Sequence, residues 1–368
     1  MNKESNSDYK KFGESIEDLN QLKNNLQKPK PEEKIEISKF WILTAVTAGV
    51  MFALCNFFIG KASHHAIYSR VVSPIGALLF ASVYNFAVTI IQKIQRNRFF
   101  VWEDSQFKHP ETNGIYWLYV LILLIDAVIT FSGGIFIVYA FQFAIYGEVN
   151  QGVIASLFSL TSIYIAFISY FAFNEKLHCF HFIGMVLMIA CALLIAFSKS
   201  AESQDKTIVV YKNVVEVISP VWSVVTAIIC TAFFLIRTIL IKIYYRKLNI
   251  NPMKLTIHSY IIQGCVLLIV FLSIEYGPGE VIRDNILAGG FGFMGNVFIN
   301  HATTKGYTGP AAALANIQVI IQIILDIIFL TQFPNGMQIA ACVCGLLGSL
   351  CITIGPNIID KLFNKADQ

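Results

Sequence analysis

From Phe40 to Ile354 the chain is a near-continuous succession of apolar runs, each about 20 residues long and each ended by a short polar stretch. A run of that length, wound as a helix at about 1.5 Å per residue, crosses the hydrocarbon of a bilayer. Hydrophobic residues make up 56% of the chain and charged residues 14%, with a mean hydropathy of +0.63. No water-soluble core of ordinary size absorbs that surplus, so it must face lipid. The runs read as about ten spans: Phe40 to Ile59, Pro74 to Ile94, Trp117 to Phe141, Val153 to Phe173 and Phe180 to Phe197, then Val217 to Ile241, Leu255 to Tyr276, Ile286 to Thr304, Ala311 to Phe329 and Gln338 to Ile354. Each is expected to be a helix, because backbone in lipid must satisfy its own N–H and C=O groups. The fold expected is therefore an all-α integral membrane protein.

Lys and Arg in short loops favour the cytoplasmic side. With the N-terminus inside, about 17 fall inside and about six outside, counting only Lys23 to Lys39 of the tail. Both termini are therefore expected in the cytosol, with the particular membrane left open. Residues 1–39 read as a polar, largely disordered tail without a cleavable signal. Residues 40–198 form the first five-span unit, 199–216 a polar linker, 217–356 the second unit and 357–368 a short tail. The eight cysteines lie almost entirely inside the spans, where Cys is a small apolar residue. Cys342-x-Cys344 lacks zinc-site spacing, so neither metal nor cofactor is expected.

Asn174-Glu175-Lys176-Leu177, wedged between two spans, has an echo about 157 positions later in Thr331-Gln332-Phe333-Pro334, so one multi-helix unit reads as written twice. The stretch Val153 to Phe197, with Phe173-Asn174-Glu175-Lys176-Leu177 at its centre and Gly184 soon after, resembles the end of an EamA-type repeat of the drug/metabolite transporter superfamily. Gly309-Pro310-Ala311-Ala312-Ala313-Leu314, the helix after it and Gln338 to Gly355 resemble the same part of a second repeat. The departure is Gln332, where the family often has an acidic residue. The resemblance implies ten helices in two inverted five-helix repeats, a cavity enclosed by helices one to four and six to nine, and solute transport by alternating access. An odd number of spans per unit suits inversion, since the second copy enters from the opposite face.

Polar residues inside apolar spans are expected to mark that cavity, because an unpaired polar group in hydrocarbon is costly. Gln318, Gln322 and Asp326 recur at i, i+4, i+8 on the ninth span, with Asn316 near its start. This stripe either binds solute or bonds to neighbouring helices. Asp126 sits about 15 Å deep in the third span by helical rise, with Thr130 and Gly134 along its face. It is read as a solute or proton site, against a structural pair with a helix-borne base. Asn296 and Asn300 lie among Gly289, Gly290, Gly292 and Gly295 on the eighth span, and His301 follows as a candidate for proton coupling. Arg237 is read first as a snorkelling residue and second as an anion contact. Asn56, Tyr84, Asn85, Tyr139 and Gln142 are weaker lining candidates, and Lys61 is read as interfacial. Glu148, Asn150 and Gln151 suit a cap on the fourth helix.

The partners expected are a small polar solute and the bilayer; the net charge of +4 needs no nucleic acid. A homodimer is compatible with the small face Ala341, Gly345, Ser349. No phosphate loop, zinc pair or nucleophile elbow supports an enzyme. A non-transporting scaffold that keeps the carrier fold is the alternative.

Overall fold

The structure is a computed structural model describing residues 40–63, 66–96, 105–109, 114–147, 149–161, 164, 168, 179–197, 207–210, 213–216, 218–274, 278–305 and 308–363. The N-terminal tail, the junction Asn174 to Leu177, Glu148, the linker residues 199–206 and the last five residues lie outside these. The helices are α1 (Trp41–Ala62), α2 (Ala66–Arg96), α3 (Trp117–Tyr146), α4 (Gln151–Ser156, continued by a 3-10 turn Leu157–Leu160), α5 (Cys179–Phe197), α6 (Val221–Leu248), α7 (Pro252–Phe271), α8 (Gly279–Lys305), α9 (Thr308–Ala315), α10 (Ile317–Leu330) and α11 (Gly336–Phe363).

Among the described residues, five stretches are long and apolar enough to cross a membrane: Trp41–Ala62, Ser69–Ile91, Trp117–Tyr146, Val221–Tyr245 and Pro252–Phe271. Phe182–Phe197, Ile317–Leu330 and Gly336–Cys351 are shorter apolar helices. Large apolar side chains are exposed on α2, α5 and α10, among them Val83, Phe86, Val186, Ile189, Ile328 and Phe329. Buried ones include Asp126, Arg237, Asn300 and Gln322. This inside-out distribution is that of a helical membrane protein.

Three elements differ from the spans read in the sequence. The second helix begins eight residues early, at Ala66, so Pro74 lies inside it and denies the Arg70 carbonyl its usual i+4 donor. The ninth span is two helices, interrupted at Asn316, whose side-chain amide bonds the Ser349 hydroxyl of α11. The linker between the two units holds an antiparallel hairpin of β1 (Thr207–Val210) and β2 (Asn213–Glu216), with Val210 opposite Asn213. Two residues between paired ends make the tight connection that favours a hairpin. Local signals explain other boundaries well. Asn150 caps α4 through Val153 N–H, and Asn251 caps α7 ahead of Pro252 at its first turn.

Packing mixes the two units. The helix α8 lies against α1 and α2, while α3 lies against α6 and α7; α2 meets α7, and α5 meets α11. Glycine sets the closest approach. A Cβ at Gly289 would stand 1.8 Å from the Ser73 carbonyl oxygen, and one at Gly76 would stand 2.2 Å from that of Ile286. The backbones of α2 and α8 therefore touch directly. The small face Ala341, Gly345, Ser349 is used inside the chain. A Cβ at Gly345 would contact Cys191 and Ser156, and Ser349 holds Asn316. That face therefore packs against α5, α4 and Asn316 of the same chain.

Candidate functional site

Helices from both units line a cavity of about 240 Å³. Its wall includes Asn56 of α1, Arg70 and Ser73 of α2, Thr130 and Gly134 of α3, Arg237 of α6, Tyr260 and Gln263 of α7, Asn296 and Asn300 of α8, and Asn316 and Gln318 at the interruption of the ninth span. Phe158 and Thr161 reach it from the 3-10 turn after α4 and the residue just beyond. Apolar side chains such as Phe52, Ile137 and Phe234 fill in between them.

An ion pair anchors one side. Arg237 Nε donates to Asp126 Oδ1 at 2.9 Å, and its Nη2 lies 3.4 Å from Oδ2. Its Nη1 donates to Asn296 Oδ1, and the Asn296 amide donates to Tyr260 Oη and the Gly292 carbonyl, each at 2.8 Å. One guanidinium thus links α3, α6, α7 and α8. Arg237 is 4% exposed, so it does not snorkel. Its fork finds a carboxylate within reach, which outweighs the pull of the headgroups on the stem. Asp126 is turned to Arg237 and does not line the cavity. The structural pair is therefore the reading of Asp126 that the geometry supports.

Asn300 lines the cavity and donates to Thr256 Oγ1 at 2.7 Å. The Thr130 hydroxyl faces the same space with no protein partner. Gln318 lines the wall as well, but Gln322 and Asp326, one and two turns further along, do not. All three are buried, so the stripe turns inward from lipid. Asp326 Oδ2 accepts from Gly152 N–H at 2.8 Å, at the start of α4. His301 is half-buried and outside the cavity wall, as are Tyr84 and the exposed Asn85. Tyr139 does not line it but supports Arg70 from beneath, and Gln142 bonds Tyr146 Oη at 3.1 Å. Lys61 pairs with Asp284 of α8 at 3.0 Å.

Arg70, Tyr260 and Gln263 were not singled out from the sequence. The guanidinium of Arg70 lies over the Tyr139 ring, 3.6 Å from its centroid, a cation–π seat. Its Nε is buried without a hydrogen-bond partner. Reading Pro74 as the start of the second helix left Arg70 in a loop, whereas the helical run from Ala66 carries it into the protein. Tyr260 and Gln263 are three apart on α7, among apolar residues, a spacing that marks one helix face.

Residues 221–354 match the family model of the EamA-like transporter family, which is consistent with a member of the drug/metabolite transporter superfamily. No curated protein matches the chain. One solved structure, described simply as a crystal structure of a protein, is 12% identical; the alignment covers 87% of this chain and 98% of that one, with a TM-score of 0.53. At that identity the likeness is one of fold.

Proposed function

We propose that the protein is a secondary transporter that carries a small polar organic solute across a membrane by alternating access, with ten spans in two inverted five-helix repeats and both termini in the cytosol. The observation that carries this reading is a largely apolar cavity with a few polar side chains in its wall, built from both units within a lipid-facing bundle. Two features support the repeat. Exchanging α1 for α6, α2 for α7 and α3 for α8 maps the packing of α8 on α1 and α2 onto that of α3 on α6 and α7. The fourth and ninth spans are both interrupted, at Leu157–Leu160 and at Asn316, at corresponding places, and both interruptions face the cavity. Broken helices at matching positions of two repeats are where transporter sites are built.

The wall also favours a sign of charge. It carries Arg70 and Arg237, and no Asp or Glu among the described residues. Arg237 is neutralised by Asp126, whereas Arg70 rests on a ring and keeps its donors for a ligand. The solute favoured is therefore one with a carboxylate or phosphate group. The test is uptake into liposomes holding purified protein, using labelled organic anions, cations and neutral polar metabolites. Saturable uptake or exchange of an anion is expected. Uptake of cations in preference to anions would overturn the solute class, and movement of no member of a broad panel would overturn the carrier.

A further inference from the structure

Away from the cavity, three buried polar side chains lie where α10 meets α4 and α1. Gln151, Gln322 and Asp326 are 1%, 0% and 0% exposed, and none of them lines the cavity. Both side-chain atoms of Gln151, both of Gln322 and Oδ1 of Asp326 have no hydrogen-bond partner. They are neighbours. Gly152 N–H donates to Asp326 Oδ2 at 2.8 Å, and a Cβ at Gly152 would stand 2.7 Å from the backbone nitrogen of Ile323, the residue after Gln322. Gln151 reaches from the other side of Gly152 to α1, its Oε1 filling the place where a side chain at Gly60 would go. The Phe57 and Phe329 rings, 5.7 Å apart, close the same end of α1 and α10.

Five buried polar atoms without partners in one place, one of them a carboxylate oxygen, would cost several kcal/mol if left bare. Among the described residues no base is paired with them. Lys61 is the charged residue of α1 and is held by Asp284, α4 carries no charge, and α9 carries none. We propose that Asp326, Gln151 and Gln322 form a sodium site, separate from the solute cavity. Asp326 Oδ1 and the two amide oxygens are hard donors, and either amide presents its oxygen by a half-turn about its last torsion. The donor set carries one negative charge, which matches a monovalent cation. A divalent ion would need more charge and a fuller oxygen shell. Contacts at Gly152 and Gly60 leave little room, which favours sodium over potassium.

The test needs no knowledge of the solute. Thermal unfolding of the purified full chain is followed in rising NaCl, with ionic strength and pH held constant by KCl or N-methylglucamine chloride. A saturable rise in Tm of about 2–5 °C is expected with sodium and not with potassium. Asp326→Asn should abolish the rise. Should that variant fail to fold, Gln322→Leu should raise the half-saturating sodium concentration at least about tenfold, the loss of one ligand. The site is refuted if sodium and potassium act alike on the wild type, or if the sodium response survives in Asp326→Asn. It is refuted equally if Tm follows pH and not sodium, for then a proton neutralises the carboxylate. A protein that responds to sodium yet moves no solute would overturn the carrier and leave this site standing.

Discussion

Arg237 on α6 and Asp126 on α3 are 111 residues apart in sequence and 2.9 Å apart in the interior, a guanidinium and a carboxylate both removed from solvent and lipid. Breaking a buried pair from one side strands the other charge, at a cost of about 3–5 kcal/mol. Asp126→Asn and Arg237→Met should each lower Tm strongly. The double variant should recover a large part of the loss, and thermal unfolding of the three proteins checks the non-additivity.

Two glycines in these helices should behave in opposite ways. A Cβ at Gly134 meets nothing within 4 Å and points into cavity space, whereas one at Gly289 collides with the α2 backbone. Gly134→Leu should preserve or raise stability, as expected when glycine leaves a helix interior, while filling the cavity and reducing uptake. Gly289→Leu should force α2 and α8 apart and prevent accumulation of folded protein, read by size-exclusion chromatography.

Arg70 separates charge from shape. Arg70→Gln should raise the KM for an anionic solute about tenfold, near 1.4 kcal/mol, with little change in Tm. Arg70→Lys keeps the charge but gives up the planar seat on Tyr139, so it should recover only part of the affinity. An unchanged KM in Arg70→Gln would remove Arg70 from solute contact.

Thr331 ends α10 at φ 53°, a left-handed conformation that a β-branched residue adopts only under strain. Thr331→Gly should stabilise the protein by about 1 kcal/mol, and Thr331→Asn by somewhat less. Both are measured as an increase in Tm. In the sequence echo Thr331 stands where the first unit has Asn174, a residue that takes this conformation more readily.

Much of the helical order was legible because lipid demands long apolar runs and polar residues inside them have few places to go. The inward turn of Gln318, Gln322 and Asp326 followed from spacing alone. What spacing does not carry is the partner. Asp126 and Gln318 look alike as buried polar residues in apolar helices, yet one is satisfied by Arg237 and the other faces the cavity. Arg237 was misjudged for the same reason, since snorkelling and inward pairing need the same stem and differ only in where a carboxylate stands. The interruption at Asn316 leaves no proline or glycine signal; it depends on a bond to Ser349, 33 residues away.

The contact of Gly76 with Ile286 and of Gly289 with Ser73 has no side chain in it that could change rotamer. Helices joined backbone to backbone slide past one another poorly, so α2 and α8 travel together, although one comes from each half of the gene product. Gly264 of α7 also lies close against the Pro74 carbonyl of α2, so the rocking proposed above would have to carry α2, α7 and α8 as one body drawn from both halves.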